Sequence, residues 1–215
     1  MYLEVKNLKK SYGKDQSYIQ VLKGVNTSVE KGQMCVIQGT SGSGKSTLLN
    51  CIGGLDEMDS GSVTVDGQEI FGLKPVRNNL VEKLSGGQKK RLSISMEFIS
   101  NPSLFILDEP DSGLDGVMAR ELFEQLRKIA DTGKIVIVIT HTPDRVIDLF
   151  DDVIVLAKDS ARTGRLAFYG SIPDARAFFG RERMEEIVKS VNRREEGGEG
   201  LADDFVMKYA EVQHG

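Results

Sequence analysis

Four short runs of consecutive hydrophobic residues divide the chain and predict buried β-strands. They lie at residues 34–37, 104–107, 135–139 and 153–156. An apolar run without alternation is typical of a parallel strand that helices cover on both faces. The pattern therefore predicts a mainly parallel sheet at the centre of the fold.

Helical periodicity separates these runs. Residues 117–130 place Met118, Leu122, Leu126 and Ile129 on one stripe at helical spacing. Residues 143–150 predict a second helix, with Pro143 in its first turn. Strands that alternate with helices indicate an α/β fold, with the sheet flanked by helices.

The two ends of the chain follow other patterns. Residues 2–8, 24–29 and 62–65 alternate polar and apolar side chains, and Asp66-Gly67 is a turn signal, which predicts a small antiparallel β subdomain beside the main sheet. The charged, glycine-rich stretch 193–200 predicts an exposed linker. After it, residues 201–215 predict a C-terminal helix that contacts the protein through Leu201, Phe205 and Val206. We therefore divide the chain into a domain at 1–192, a linker and a helix.

Composition narrows the function classes. Of 215 residues 40% are hydrophobic and 28% charged, with a formal net charge of −4, which argues against a disordered chain and against a nucleic-acid partner. No apolar run is long enough to span a bilayer. The cysteines Cys35 and Cys51 and the histidines His141 and His214 are too few for a disulfide scaffold or a cysteine- or histidine-rich metal site, and a reducing cytosol fits.

A glycine-rich motif lies between the first apolar run and a helical stretch at 47–52. Residues 39–46 read GTSGSGKS and match the phosphate-binding P-loop pattern. In that pattern the glycines turn backbone N–H groups toward phosphate oxygens, Lys45 reaches the β- and γ-phosphates, and Ser46 binds Mg²⁺. The alternative is a glycine-rich turn that happens to contain a lysine. The predicted nucleotide-binding set is Gly39, Ser41, Gly42, Ser43, Gly44, Lys45, Ser46 and Thr47.

Polar residues end two other apolar runs. Asp108 and Glu109 follow the run at 104–107, where open α/β sheets bind ligands. We expect Asp108 to hold Mg²⁺ through water and Glu109 to accept a proton from the attacking water. His141 follows the run at 135–139 and is placed to orient that water and the γ-phosphate. The alternatives are a solvated acidic turn and a histidine with a structural role.

Residues 84–88 read LSGGQ, and with this motif the chain resembles the nucleotide-binding subunit of an ABC transporter, from residue 1 to about residue 180. The resemblance implies a P-loop NTPase core and ATP with Mg²⁺ as ligands. It also implies a head-to-tail dimer, with two ATP molecules sandwiched between the copies. In that dimer Ser85, Gly86, Gly87 and Gln88 contact the nucleotide held by the other copy.

Two further positions match the family. Tyr12 resembles the aromatic residue that stacks on adenine. Asp115 ends a loop, 112–115, that resembles the segment crossing the dimer interface beside Glu109. Asp111 departs from the pattern, because an uncharged residue is more usual before that loop.

A segment that the family contains is not recognisable here. Only 16 residues separate Gly67 from Leu84, where the family has several tens. Those residues include a glutamine that touches Mg²⁺ and the attacking water, and a helical arm that receives the membrane subunits. We expect the arm to be missing near 68–83, leaving a truncated helical subdomain. Gln68 comes too early in the chain to be that glutamine.

The two halves of the chain also resemble different subfamilies. Residues 1–70 resemble the ATPases of macrolide-export and lipoprotein-release systems, whereas residues 72–180 resemble the G subfamily of exporters. This difference leads to the hypothesis of a fusion seam at 70–73. A natural chain with a reduced arm is the alternative.

Together these motifs predict the ATP-hydrolysing motor subunit of an export-type ABC transporter. The expected partners are a second copy of the chain and a transmembrane permease, at the cytoplasmic face of a membrane. Because the arm and the glutamine are missing, we expect weak hydrolysis and impaired coupling. The alternatives are an ABC-type ATPase without a membrane partner and a nucleotide-binding module without turnover.

Overall fold

The computed structural model describes residues 3–13, 18–53, 56–65, 68–69 and 102–214, and its strands form one nine-stranded sheet. In chain order the strands are β1 Leu3–Tyr12, β2 Ile19–Val29, β3 Met34–Gly39, β4 Ser60–Val65, β5 Gln68–Glu69, β6 Leu104–Asp108, β7 Ile135–Ile139, β8 Asp152–Lys158 and β9 Gly164–Ser171. Across the sheet the order is β5-β4-β1-β2-β9-β8-β3-β7-β6. The α-helices are α1 Lys45–Ile52, α2 Gly116–Asp131, α3 Ile172–Phe179, α4 Met184–Val191 and α5 Ala202–His214.

Four neighbouring strands on one side of the sheet, β8, β3, β7 and β6, run parallel, as predicted for the unbroken apolar runs. β3 pairs in parallel with β7 and with β8, and β7 pairs in parallel with β6. Met34 and Val36 of β3 belong to the hydrophobic core on the α2 side, while Cys35 and Ile37 belong to the core on the α1 side. Both faces of the sheet are therefore covered, which confirms the α/β fold read from the unbroken apolar runs.

The antiparallel strands belong to the same sheet. β1 pairs with β2 and β4, and β4 pairs with β5, all antiparallel. The expectation of a separate small sheet beside the main one is wrong, because β2 joins β9 through the Leu22–Gly164 pair. A Cβ on Gly164 would stand 2.2 Å from the carbonyl oxygen of Ser43 and 2.5 Å from that of Val21. The missing side chain thus lets the two parts of the sheet approach closely.

Helix α2 confirms the predicted periodic segment, with a small rotation of its buried face. Leu122 and Leu126 are buried as expected, and Phe123 and Ala130 are buried beside them. Met118 and Ile129 are only half-buried. The face that packs on the sheet is therefore centred slightly to one side of the predicted stripe.

Residues 143–150 do not form the predicted helix. They form two 3₁₀ turns, Pro143–Arg145 and Ile147–Leu149, on either side of Val146. Val146 has φ −134° and ψ 16°, outside helical values, and its side chain is buried in the α2-side core. Burial of this one side chain therefore outweighs the helical start that Pro143 favours.

The C-terminal segment packs against the sheet. Val206 and Tyr209 of α5 are buried, and the Tyr209 hydroxyl donates to the carbonyl oxygen of Tyr169 at 3.0 Å. Phe205 packs against Phe179 with ring centroids 4.6 Å apart. The expected contacts of Phe205 and Val206 are thus present, while Leu201 is half-buried.

The stretch 193–200 is mostly exposed and contains a single 3₁₀ turn, Arg194–Glu196. Arg181 holds it to the preceding helices through an ion pair with Glu199 at 2.8 Å. The domain boundaries at 192 and 200 stay predictions.

Both cysteines are free thiols in the core. Burial raises the pKa of Cys51 to about 11 and also raises that of Cys35. These thiols therefore act as small apolar core residues. In the part of the chain that the structure describes, none of the helices has the length and apolar character needed to cross a membrane.

Candidate functional site

The glycine-rich motif joins β3 to α1, in the strand–loop–helix arrangement that the sequence predicts. β3 ends at Gly39 and α1 begins at Lys45. Gly39, Gly42 and Gly44 have φ of 151°, 67° and 93°, in the region that favours glycine. The loop therefore depends on these glycines to turn tightly into the helix.

The loop packs closely against the neighbouring strands β8 and β2. A Cβ on Gly39 would stand 2.1 Å from the carbonyl oxygen of Leu156 in β8. A Cβ on Gly44 would stand 2.6 Å from Cδ2 of Leu22 in β2. At Gly39 a side chain would collide with backbone and displace the loop. At Gly44 it would have to push aside the Leu22 side chain, in a backbone conformation that favours glycine.

Lys45 lies at the start of α1 and folds back over the loop. Its Nζ donates to the carbonyl oxygens of Gly39 at 3.1 Å and Thr40 at 3.0 Å. Burial lowers the pKa of Lys45, and the nearby carboxylates Asp108 and Glu109 oppose that shift. The ammonium group is thus held near the ends of both β3 and β6.

The side chains of the loop are chemically suited to an anion. Residues 39–47 contain hydroxyl groups and one ammonium group but no carboxylate. Ser41 and Ser46 are exposed. The hydroxyls of Thr40 and Ser43 are buried, and among the residues that the structure describes they have no hydrogen-bond partner. A set of unused donors around left-handed glycines fits a phosphate group.

A second lysine, which the sequence did not reveal, lies at this loop. Lys158 ends β8, and its Nζ lies 2.8 Å from the position that a Cβ on Gly42 would occupy. Its charge also contributes to lowering the pKa of Lys45, after the larger effect of burial. No motif marks Lys158, because only the β3–β8 pairing brings it to the loop.

Asp108 and Glu109 lie at the carboxyl end of β6. The side chain of Asp108 is exposed. Glu109 has φ 47°, an uncommon value for a residue other than glycine, and its N–H donates to the carbonyl oxygen of Ile139 at 2.9 Å. Strained backbone of this kind clusters at functional sites.

The structure brings Glu109 and His141 together. Nε2 of His141 lies 2.8 Å from Oε1 of Glu109, within hydrogen-bond distance. The two side chains are 68% and 45% exposed, respectively, so solvent and ligands reach them. A carboxylate beside an imidazole at an open edge of a parallel sheet can accept and orient the proton of a water molecule.

A second set of contacts joins the same two turns. Oδ2 of Asp111 accepts hydrogen bonds from the hydroxyls of Thr140 at 2.8 Å and Thr142 at 3.1 Å. The carbonyl oxygen of Thr140 accepts from Nε2 of the buried Gln38 in β3 at 2.8 Å. A cleft of about 200 Å³ beside these contacts is lined by Glu109, Asp111, Ser112, Leu114, Ala119, His141, Thr142 and Arg145. The acid that departs from the family pattern is thus connected to the turn that contains His141.

Asp115 caps helix α2. Its Oδ1 accepts from the N–H groups of Val117 at 3.0 Å and Met118 at 2.8 Å. A carboxylate at this position accepts hydrogen bonds from N–H groups that have no partner within the helix. Its negative charge also interacts favourably with the positive end of the helix dipole. The expected position of Asp115 beside a nucleotide in a dimer stays a prediction.

Tyr12 belongs to a polar cluster next to α1. Its hydroxyl donates to Oδ2 of Asp56, and Nζ of Lys10 lies 4.7 Å from its ring centroid. Lys10 also pairs with Asp56 at 2.8 Å. Burial and the hydrogen bond to Asp56 raise the pKa of Tyr12, while a hydrogen bond from Thr47 opposes the shift. The ring, 43% exposed, is therefore fixed near the helix that follows the phosphate loop.

The LSGGQ residues Ser85, Gly86, Gly87 and Gln88 lie outside the described residues. Most of residues 68–83, where we expect the helical arm to be missing, also lie outside the described residues. The proposed fusion seam at 70–73 lies outside them entirely. Gln68 comes too early in the chain to be the catalytic glutamine of the family. It lies in β5, at the edge of the sheet.

The chain is similar to proteins of one family. A family model described as ABC transporter matches residues 22–80 and 69–112. The bacitracin export ATP-binding protein BceA of Halalkalibacterium halodurans is 28% identical over 244 residues, covering 83% of this chain and 96% of BceA.

Two longer relatives combine ATP-binding and permease in their names. One, Rv1747 of Mycobacterium tuberculosis, is 28% identical over 228 residues, covering 80% of this chain and 26% of the relative. The other, the macrolide export protein MacB of Neisseria meningitidis serogroup B, is 28% identical over 218 residues, covering 71% and 34%. The chain therefore spans about a quarter to a third of these relatives.

Solved structures share the fold. A nucleotide-free ATP-binding cassette from an ABC transporter gives a TM-score of 0.67 at 21% identity, covering 80% of this chain and 92% of that chain. A dimeric, post-hydrolysis structure of the ATP-binding cassette MJ0796 bound to ADP and Pi gives 0.65 at 23% identity, covering 79% and 98%.

Proposed function

We propose that the chain is an ATP-binding protein of the ABC transporter family, whose model matches residues 22–80 and 69–112. In this proposal it binds ATP with Mg²⁺ and hydrolyses it as the motor of an exporter. One observation contributes most to this proposal. The phosphate loop after β3, the acids after β6 and His141 after β7 lie at the carboxyl ends of three neighbouring parallel strands. Open α/β sheets bind ligands at this edge.

Each group at this edge has a role in phosphoryl transfer to water. The loop from Gly39 to Gly44 and the ammonium of Lys45 bind the phosphates. The exposed hydroxyl of Ser46 would bind Mg²⁺, and the exposed carboxylate of Asp108 would hold the ion through water. The bound ion would neutralise phosphate charge. Glu109 accepts the proton of the attacking water, and His141 orients Glu109 and the γ-phosphate.

We further propose that two copies act together. The family resemblance implies that residues 84–88 of one copy contact the nucleotide bound by the other copy. The structural neighbour MJ0796 is described as dimeric. The names of MacB and Rv1747 combine ATP-binding and permease, which supports a transmembrane permease as the further partner. Such a partner would hold the chain at the cytoplasmic face of a membrane.

We propose that hydrolysis by this chain is weak. The alignment with Rv1747 extends over 228 residues although it covers only 80% of this 215-residue chain. The relative therefore contributes residues that have no counterpart here, which supports the missing arm. Loss of the glutamine and a shift of LSGGQ by about 1 Å would lower the rate by roughly a hundredfold.

The test is steady-state Mg-ATP hydrolysis as a function of protein concentration, with Glu109→Gln in parallel. Glu211→Gln, on the exposed face of α5, is the matched control. We expect a low rate that rises faster than linearly, vanishes in Glu109→Gln and is unchanged in Glu211→Gln. Tight ATP binding without turnover in any variant would instead favour a nucleotide-binding module. No ATP binding would contradict the proposal.

A further inference from the structure

We propose that Asp111 is a positioning residue that sets the geometry of Glu109 and His141. The inference rests on the proposed function, in which these two side chains act on water. In this role Asp111 acts through other residues and not on the water itself. Its contacts are with the two threonines that flank His141 in the chain.

Three sets of hydrogen bonds join the turn after β6 to the turn after β7. The N–H of Glu109 donates to the carbonyl oxygen of Ile139 at 2.9 Å, in the backbone. His141 contacts Glu109 at 2.8 Å, at the open edge. Between them, Oδ2 of Asp111 accepts from the hydroxyls of Thr140 and Thr142. The turn of β6 and the turn of β7 are therefore held as one unit.

The Asp111 contacts are the least exposed side-chain link in that unit. Thr140 is only 2% exposed, whereas the Glu109 and His141 side chains face solvent. Hydrogen bonds to an ionised acceptor are about twice as strong as those between neutral groups. Thr140 is also held to β3, because Nε2 of Gln38 donates to its carbonyl oxygen at 2.8 Å.

Glu109 needs such a restraint. Its φ of 47° is unfavourable for a side chain other than glycine, and strained conformations persist only where the surroundings enforce them. Asp111 lies two residues after Glu109, and it fixes the loop on the side where the chain leaves the strained residue. Without it, we expect Glu109 to relax and the contact with His141 to loosen.

Histidine NMR tests this directly. The chain has only two histidines, so ¹⁵N-histidine labelling gives two sets of ring signals, which His214→Gln assigns. We expect Asp111→Ala to change the His141 ring nitrogen shifts toward those of a solvated imidazole. We expect Asp111→Asn, which keeps an acceptor oxygen, to restore them in part.

The kinetic readout separates positioning from binding. Asp111→Ala should lower kcat for ATP about tenfold or more while KM stays within about twofold, because a small misplacement lowers the rate steeply. Asp144→Ala is the matched control. Its carboxylate also accepts two hydrogen bonds, but from the N–H groups of Met184 and Glu185 at the start of α4.

Asp144→Ala should lower stability without moving the His141 signals. If Asp111→Ala fails to fold, Thr142→Val removes one of the two contacts and should give a smaller change of the same sign. If the His141 signals of Asp111→Ala and of Thr142→Val match those of the wild type, the inference is wrong. Wild-type protein that does not bind ATP would instead overturn the proposed function, while the NMR comparison would still test the role of Asp111.

Discussion

Nζ of Lys158 lies over Gly42, 2.8 Å from the point where a side chain on that glycine would begin. The two residues come from different elements, the end of β8 and the loop after β3. Their proximity places a second ammonium group, besides Lys45, at the proposed phosphate site.

Lys158→Met should weaken ATP binding. Removing a partly exposed charge near a polyanion reduces affinity by about 1 kcal/mol, or roughly fivefold. Titration of ATP at two salt concentrations measures the effect, and the salt dependence should decrease in the variant. Lys128→Met, on the exposed side of α2, is the control and should bind as the wild type does. Equal affinity in Lys158→Met would show that the charge points away from the ligand.

Tyr12→Ala should weaken the binding of ATP but leave that of tripolyphosphate unchanged. The ring is fixed by Lys10 and Asp56 near α1, and stacking on a base is worth about 1–3 kcal/mol. Competition binding of both ligands measures the difference. Tyr18→Ala is the control, because Tyr18 is 59% exposed and contacts Ser11. A parallel loss for both ligands would point to a distorted phosphate loop instead.

Asp152→Asn should raise stability at neutral pH. Burial raises the pKa of this carboxyl, and the charges of Asp151 and Asp174 add to the shift. Because the folded pKa lies above the unfolded value, ionisation destabilises the fold at neutral pH. This penalty disappears as the pH falls through the folded pKa toward the unfolded one.

The measurement is Tm of both proteins between pH 7 and about pH 4, the usual range of a carboxyl. The advantage of Asp152→Asn should shrink as the pH falls. Glu211→Gln, on the exposed face of α5 and away from its first turn, is the control and should show no such trend. A constant difference across the range would mean that packing, not ionisation, separates the two proteins.

Phe179→Ala should destabilise the C-terminal part of the fold. Phe179 is 4% exposed and packs on the rings of Phe168, Phe178 and Phe205. Truncating a buried phenylalanine lowers the free energy of unfolding by about 3–5 kcal/mol. Urea unfolding measures the change. Met207→Ala, at a position that is 59% exposed on α5, should be nearly neutral.

Local pattern predicted the centre of the fold and much of the site. The runs that became β3, β6 and β7 are unbroken. Gly39 and Asp108, which end β3 and β6, and His141, which follows β7, lie at one edge because the strands are parallel. Period and chemistry agree at these positions. Sequence reasoning works well where one segment contains both signals.

Local pattern did not predict contacts between residues that lie far apart in the chain. Lys158 reaches the phosphate loop only through the pairing of β8 with β3, and Asp111 meets Thr140 only through the pairing of β6 with β7. Burial of Val146 replaced a predicted helix with two turns. Such contacts depend on tertiary packing, which has no local signature.

The sheet order sets a simple limit on chain length. β5 and β6 follow one another among the described strands, yet they form the two outer edges of the nine-stranded sheet. Neighbouring strands lie about 4.8 Å apart, so the edges are at most roughly 40 Å from each other. The intervening residues 70–103 could span over about 100 Å when extended. The number of residues between the two strands is therefore more than the distance between the edges requires, so the order of the strands does not depend on whether an arm is present.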